Sequence, residues 1–265
     1  MATRAPRAAA PLAAYVLHHY DWSESSLILD LFTREQGRVA VAAKGAKRPY
    51  SQLRGVLLPF QRLHVQLGRA PQGEGASEVQ GLRSAEWAGG AAMLTGAALF
   101  SGFYVNELLM KLLARHDPHP ALFDAYAQTL PALGVGDEAL ALRAFELCLL
   151  KETGVLPDLS VATQTQEALL PTGGYGLNLD GLSPLVGGVS GAAWVGLQAA
   201  LDHGSLAALQ QACAPVLGAL KVPLRALLHY HLGSAVLRTR QVMVELQGLQ
   251  APAGTPPPNT QATSA

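Results

Sequence analysis

"DWSESSLILDLFTREQGRVAVAAKGAKRP", residues 21–49, decides the fold. Residues 25–33 are β-prone and apolar on both faces except at Asp30, and residues 37–45 alternate Val39 and Val41 with small side chains. The "REQG" between them is a short hairpin loop. The second run ends in a basic hook, with Lys44, Lys47 and Arg48 gathered around Gly45 and no acid within it.

Three more strand-like runs flank this hairpin, at residues 13–20, 60–68 and 77–86, and the segment 50–60 reads as mixed and partly helical. Strand, strand, strand, short helix, strand, strand is the order of a five-stranded OB-type barrel. From residue 90 the apolar period changes. Leu99, Phe103, Leu108 and Leu112 lie near helical spacing, a break follows at 115–120, and a second helix runs through "ALFDAYAQTLPAL" (121–133). Residues 136–155 predict the strongest helix, with Asp137 as cap, Lys151 in the last turn and Gly154 to end it. The uncharged run 88–106 is of about spanning length, yet its glycines and Asn106 make a buried core helix the better reading than a membrane span.

Residues 157–191 are rich in Gly and Pro, with a small hairpin expected in "LPTGGYGLNL" (170–179). Helices resume over 192–211 and 213–248, and the tail 250–265 has too little apolar material to fold. The expected class is therefore α+β: a barrel domain over 1–88, a helical domain over 89–249 and a disordered tail. The loop 69–77 is expected to be mobile, and the N-terminus reads as a frayed start rather than a signal peptide.

The formal net charge is zero, but residues 1–90 carry eleven Lys and Arg against seven Asp and Glu, and residues 91–265 carry eight against twelve. Within 34–69 eight basic residues face only Glu35. Such a split points to a polyanion for the first half, with a merely solvated basic face as the alternative. Arg34, Arg38, Lys44, Lys47, Arg48 and Arg54 are the candidate phosphate contacts. Trp22 and Tyr50, in expected loops, are the candidate stacking rings, whereas Phe32 and Phe60 read as core.

Other chemistry finds little support. No phosphate loop, nucleophile elbow or carboxylate pair is present. His229 and His231 point to different faces of a helix, and His18 and His19 to opposite faces of a strand. Cys148 and Cys213 are too few for a disulfide framework, which suits a reducing cytoplasm. The rivals to a DNA-binding barrel are an RNA-binding one and a metal-free hydrolase.

The string 21–49 also resembles the N-terminal signature of the bacterial recombination mediators of the RecO family, W-S-E-x-S-L followed by F-T-x-x-x-G-R and a-K-G-a-[KR]. "LLPF" (57–60), "LRSAEW" (82–87), "SGFYVNELLMKLL" (101–113) and "ALRAFELCLLKETG" (141–154) are similar to that family's next blocks, in order. The resemblance implies a cytoplasmic, nucleoid-associated, non-enzymatic protein that binds single- and double-stranded DNA and anneals complementary strands. It implies RecR and the acidic, apolar-ended tail of single-stranded-DNA-binding protein as partners, with RecA loading as the outcome. Arg143, with Phe145, Leu147 and Leu150 nearby, is the expected dock for that tail; the alternative is an ion pair of Arg143 with Glu107 or Glu146.

Many family members carry four cysteines for zinc in the segment corresponding to 157–191, and this chain has none there. A structural zinc site wants about four Cys or His ligands, so no cofactor is expected. Metal analysis of the purified protein should find no stoichiometric zinc, and a chelator should leave its melting temperature unchanged. One tightly held zinc per chain would refute this reading.

Overall fold

The computed structural model describes residues 10–69, 78–89, 93–233, 237–239, 241, 242 and 245. The expected mobile loop 69–77, apart from Arg69, and the tail 250–265 lie outside them, as does most of the chain beyond 233 that was expected to extend the last helix.

Strands β1 (Leu12–Asp21), β2 (Leu27–Thr33), β3 (Gly37–Ala43), β4 (Leu63–Leu67) and β5 (Gln80–Trp87), with the short helix α1 (Gln52–Val56), form a closed barrel in the order β1-β2-β3-β5-β4. β3 and β5 run parallel, and β4 closes antiparallel on β1 through Leu12↔Val65 and Ala14↔Leu63. This is the OB arrangement. Period-two alternation sends Ala14, Val16, Leu29, Leu31, Val39 and Val41 into the barrel core.

The opposite faces of β1 and β2 are buried too. Tyr15, Leu17 and Phe32 belong to the core of the helical half. That half begins with α2 (Gly96–Leu112), α3 (Pro120–Val135) and α4 (Glu138–Glu152). Tyr15 packs on Phe123 and Tyr126 with ring centroids 5.3 and 4.9 Å apart, and Phe32 on Phe123 at 5.4 Å. β1 bulges between Val16 and His18, and the buried Asn106 of α2 donates to the Leu17 carbonyl there at 3.0 Å. Tyr126 in turn donates to Asn106 Oδ1 at 2.6 Å. The same bulge upsets the alternation, so the rings of His18 and His19 stack 5.9 Å apart instead of diverging as expected. Gly37 holds φ +66°, and a Cβ there would lie 2.0 Å from the Asp117 carbonyl oxygen, so the β2–β3 turn meets the helical half where only glycine fits.

Small strands follow α4: β6 (Val161–Ala162), β7 (Glu167–Ala168), β8 (Gly174–Asn178), β9 (Gly181–Pro184) and β10 (Val189–Ser190). The hairpin pairs β8 with β9, so "LPTGGYGLNL" supplies one arm and not both. The insert is held by packing and hydrogen bonds. Trp194 Nε1 donates to the Tyr175 carbonyl at 3.3 Å, and the Leu170 N–H to the Tyr175 hydroxyl at 2.9 Å.

The final helices are α5 (Gly191–His203), α6 (Leu206–Cys213) and, after a 3-10 turn at Ala214–Val216, α7 (Leu217–His231). The single helix expected over 192–211 is broken because Gly204 ends α5 at φ +75° and the Ser205 side chain caps α6. Leu206–His231 is long and apolar enough, by length and composition, to cross a membrane. Here Leu209, Leu220, Leu224, Leu227 and Leu228 from this stretch pack into the helical core.

α4 lies at the centre of that core and buries a carboxylate. Glu146 Oε1 accepts from Arg143 at 2.7 Å and from the Tyr104 hydroxyl at 2.8 Å, while Oε2 has no partner among the described residues. Burial pushes the Glu146 carboxyl up to about 7, against the pull of Arg143 and Tyr104. Between about 4.5 and 7 the folded chain therefore keeps a proton that the unfolded chain has lost, and this group's contribution to stability falls as pH rises through that window. Glu146→Gln removes the loss. The stability of the variant relative to wild type should rise by on the order of 1–3 kcal/mol between pH 5 and pH 8 in denaturant melts. Superimposable pH profiles for the two proteins would refute the assignment.

Candidate nucleic-acid interface

The basic hook and the β1–β2 turn are stapled together at one end of the barrel. The Lys47 N–H donates to the Ser25 carbonyl at 3.0 Å, and Lys47 Nζ reaches the Ser23 carbonyl at 3.1 Å and Asp21 at 3.2 Å. The Trp22 N–H donates to the Ser26 carbonyl at 3.2 Å, closing the turn. Gly45, at φ +72°, lets the chain fold back so that Ala46 plugs the barrel core. Two successive turns follow, Arg48 N–H to Gly45 O and Ser51 N–H to Arg48 O. Backbone bonds thus fix most of the loop, and its Lys44, Arg48 and Tyr50 side chains face solvent.

Lys44, Arg48 and Arg54 are exposed, and among the described residues none has an ion-pair partner. Trp22 is 58% exposed and Tyr50 98%. Lys47 is the exception in the hook, since its ammonium closes the staple. Arg69, one of the eight basic residues within 34–69, joins this end of the barrel. Gly68 donates to Gly81, which pairs with Ala42, so exposed Arg69 leaves β4 at the same end of the barrel as Lys44. Among the described residues no group of three or more His, Cys, Asp or Glu is placed to hold a metal.

Two expected contacts have other tasks. Arg38 is only 13% exposed at its side chain; it donates to Asp30 at 3.0 Å, to the Leu113 carbonyl at 2.9 Å and to the Met110 carbonyl. Arg34 makes a two-pronged bond to Asp124 of α3, at 3.0 and 2.8 Å. OB-type barrels take oligonucleotides on the face of strands 2 and 3 and on the 1–2 and 4–5 loops. Here much of that face, through Phe32 and Arg38, is closed by α2 and α3, which leaves the loop end as the open basic surface.

The expected tail dock is also rearranged. Phe145, Leu147 and Leu150 expose nothing to solvent, because α3, α6 and α7 pack around α4. They form no groove, since an apolar ligand end needs apolar surface it can reach. Arg143 is paired with Glu146, the alternative weighed from the sequence, and not with Glu107. Glu107 instead accepts from the N–H groups of Arg238 and Thr239 at 2.9 and 3.0 Å.

Comparison with known proteins agrees with this architecture along its length. Residues 11–88 match the family model "Recombination protein O N terminal", and residues 93–241 match "Recombination protein O C terminal". The chain is 52% identical over 245 residues to the DNA repair protein RecO of Polaromonas sp. (strain JS666), covering 89% of this chain and 96% of that one. It is 50% identical over 263 residues to the DNA repair protein RecO of Acidovorax ebreus, covering 92% and 100%. A barrel of OB topology welded to a helical half, matched at both halves and at this identity, places the chain in the RecO family of bacterial DNA repair proteins.

Proposed function

We propose that this protein is a non-enzymatic recombination mediator of the bacterial cytoplasm that binds DNA by its phosphates at the loop end of the barrel. In this reading it anneals complementary strands and, with RecR, helps RecA replace single-stranded-DNA-binding protein. The observation that carries the reading is the set of exposed Lys44, Arg48 and Arg54, without ion-pair partners among the described residues, on the hook and α1 with exposed Tyr50 between them and the Trp22 turn stapled to the hook. Cations on a rigid loop meet the DNA backbone without first being ordered, and exposed rings offer stacking to unpaired bases. Arg34 belongs to this surface only by exchange, since a phosphate would have to displace Asp124. A tail carboxylate from single-stranded-DNA-binding protein likewise reaches Arg143 only by replacing Glu146.

Lys44→Glu with Arg48→Glu should weaken binding to labelled single- and double-stranded oligonucleotides alike, because phosphates are common to both. Losing two contacts should flatten the salt slope of log K by about 1.4 for single strands and about 1.8 for duplex. A folded double variant that binds both with wild-type affinity and slope would overturn the assignment. Tighter binding to RNA than to DNA of the same sequence, at the same salt, would favour the RNA-binding reading.

A further inference from the structure

Two carboxylates stand among the cations at the loop end of the barrel. Asp21 closes β1 with its side chain 77% exposed, and Glu24 lies exposed in the turn that follows. Between them Trp22 shows its ring to solvent. Lys47 Nζ holds one Asp21 oxygen at 3.2 Å, and among the described residues Glu24 has no ion-pair partner. Asp21 helps to staple the turn to the hook, a task that an uncharged amide oxygen would serve as well. The negative charge of the two residues is therefore unexplained by the fold.

The strand register fixes where these charges sit. Asp21 pairs with Leu27, and Leu27 pairs with Ala43, the residue before Lys44. Neighbouring strands lie about 4.8 Å apart, so the backbones that lead to Asp21 and to Lys44 are separated by roughly 10 Å. The turn that carries Glu24 stays on the Asp21 side, held by the N–H groups of Trp22 and Ser23 on the Ser26 carbonyl at 3.2 and 3.4 Å.

That spacing is a duplex dimension. The two phosphate backbones of a double helix face each other across grooves about 6 and about 12 Å wide. A duplex laid across this end with one backbone on Lys44 and Arg48 brings the other over the turn. There its phosphates meet Asp21 and Glu24 within one Debye length, about 10 Å at 0.1 M salt, and like charges repel. A duplex is too stiff over so short a span to bend away. A single strand has no second backbone, so it keeps its phosphates on the cations and lays a base on Trp22 or Tyr50.

We propose that Asp21 and Glu24 make the Trp22 turn a strand selector, which admits an unpaired strand and rejects the second backbone of a duplex. The inference rests on the barrel reading above and deepens it: the favoured ligand of the loop end is a single strand. It also gives annealing a way to turn over. A purely basic surface would retain the duplex it had formed, whereas one that repels the second backbone lets the product go once the strands have paired.

Asp21→Asn with Glu24→Gln, in the full-length protein, removes both charges and keeps an acceptor for Lys47. At about 0.05 M salt this variant should bind a labelled duplex about fivefold tighter than wild type, while its affinity for the single strand rises less than about twofold. The gain for duplex should shrink by about 0.3 M salt, where the charges are screened. Glu24→Gln alone, which disturbs no ion pair, should do the same to a smaller extent. With protein scarce relative to complementary strands, added unlabelled duplex should slow annealing by the double variant more than by wild type. An unchanged ratio of duplex to single-strand affinity in the folded variants would overturn the proposal. So would an equal gain for both ligands, which would make Asp21 only a mask for Lys47. The Lys44→Glu, Arg48→Glu variant keeps the two readings apart. Wild-type DNA binding by that variant defeats the barrel reading, whereas a defect in it together with an unchanged ratio in the Asp21, Glu24 variant defeats the selector alone.

Discussion

A carboxylate with almost no access to water, Asp30, fixes how the two halves of the molecule meet. Its burial raises its pKa even though Arg38 and Arg115 both pull the other way. Arg38 answers it at 3.0 Å and extends the same guanidinium to the Leu113 and Met110 carbonyls, where α2 ends. A cation suits both an acid and the negative end of a helix. Removing Arg38 would leave the buried Asp30 only its longer contact to Arg115, at 3.7 Å, a larger loss than breaking an exposed pair. With Tyr15, Leu17 and Phe32 packed into the core of the helical half, the outer face of β1 and β2 becomes interior. The barrel is left with its loop end as the place where, among the described residues, Lys44, Arg48 and Arg54 stand exposed without ion-pair partners.

That constraint explains which basic residues a linear reading could sort and which it could not. Lys44, Arg48 and Arg54 lie in a turn and a short helix, where nothing local competes for them. Arg38 carries the same charge a few positions earlier, on a strand facing α2. A signal for it was present: Asp30 is the sole acid in an otherwise apolar strand, and a buried acid demands a cation. Arg34 gave no such signal, because its partner Asp124 lies 90 residues away. The Arg143–Glu146 pair was legible from its i, i+3 spacing.

The barrel was legible because its strands alternate and its loops are short. The helical half was legible in element count more than in packing. Helical spacing puts Leu142, Phe145 and Leu149 on one face of α4 and Leu147 and Leu150 off it. In the fold α4 is surrounded, so Leu147 and Leu150 are as deeply buried as Phe145. Periodicity describes one helix at a time and says nothing of how many neighbours it has. The same limit hid an open groove beside α7, whose walls, Gly218 and Pro223 on one side and Leu185 and Gly188 on the other, come from segments some thirty residues apart.

α2 carries two adjacent residues with very different reach. Asn106 holds the Leu17 carbonyl at the bulge of β1, a few residues before the Trp22 turn, and Glu107 holds the N–H groups at positions 238 and 239. Burial alone would raise the Glu107 carboxyl, and those donors, with Lys111, bring it below its ordinary value. One helix is therefore a lever with the barrel at one contact and the backbone at 238 and 239 at the next. Since helices rotate and slide as stiff bodies, a tilt of α2 displaces both ends at once. The strand that leads to the Trp22 turn and the backbone at 238 and 239 are tied to one helix through two consecutive side chains.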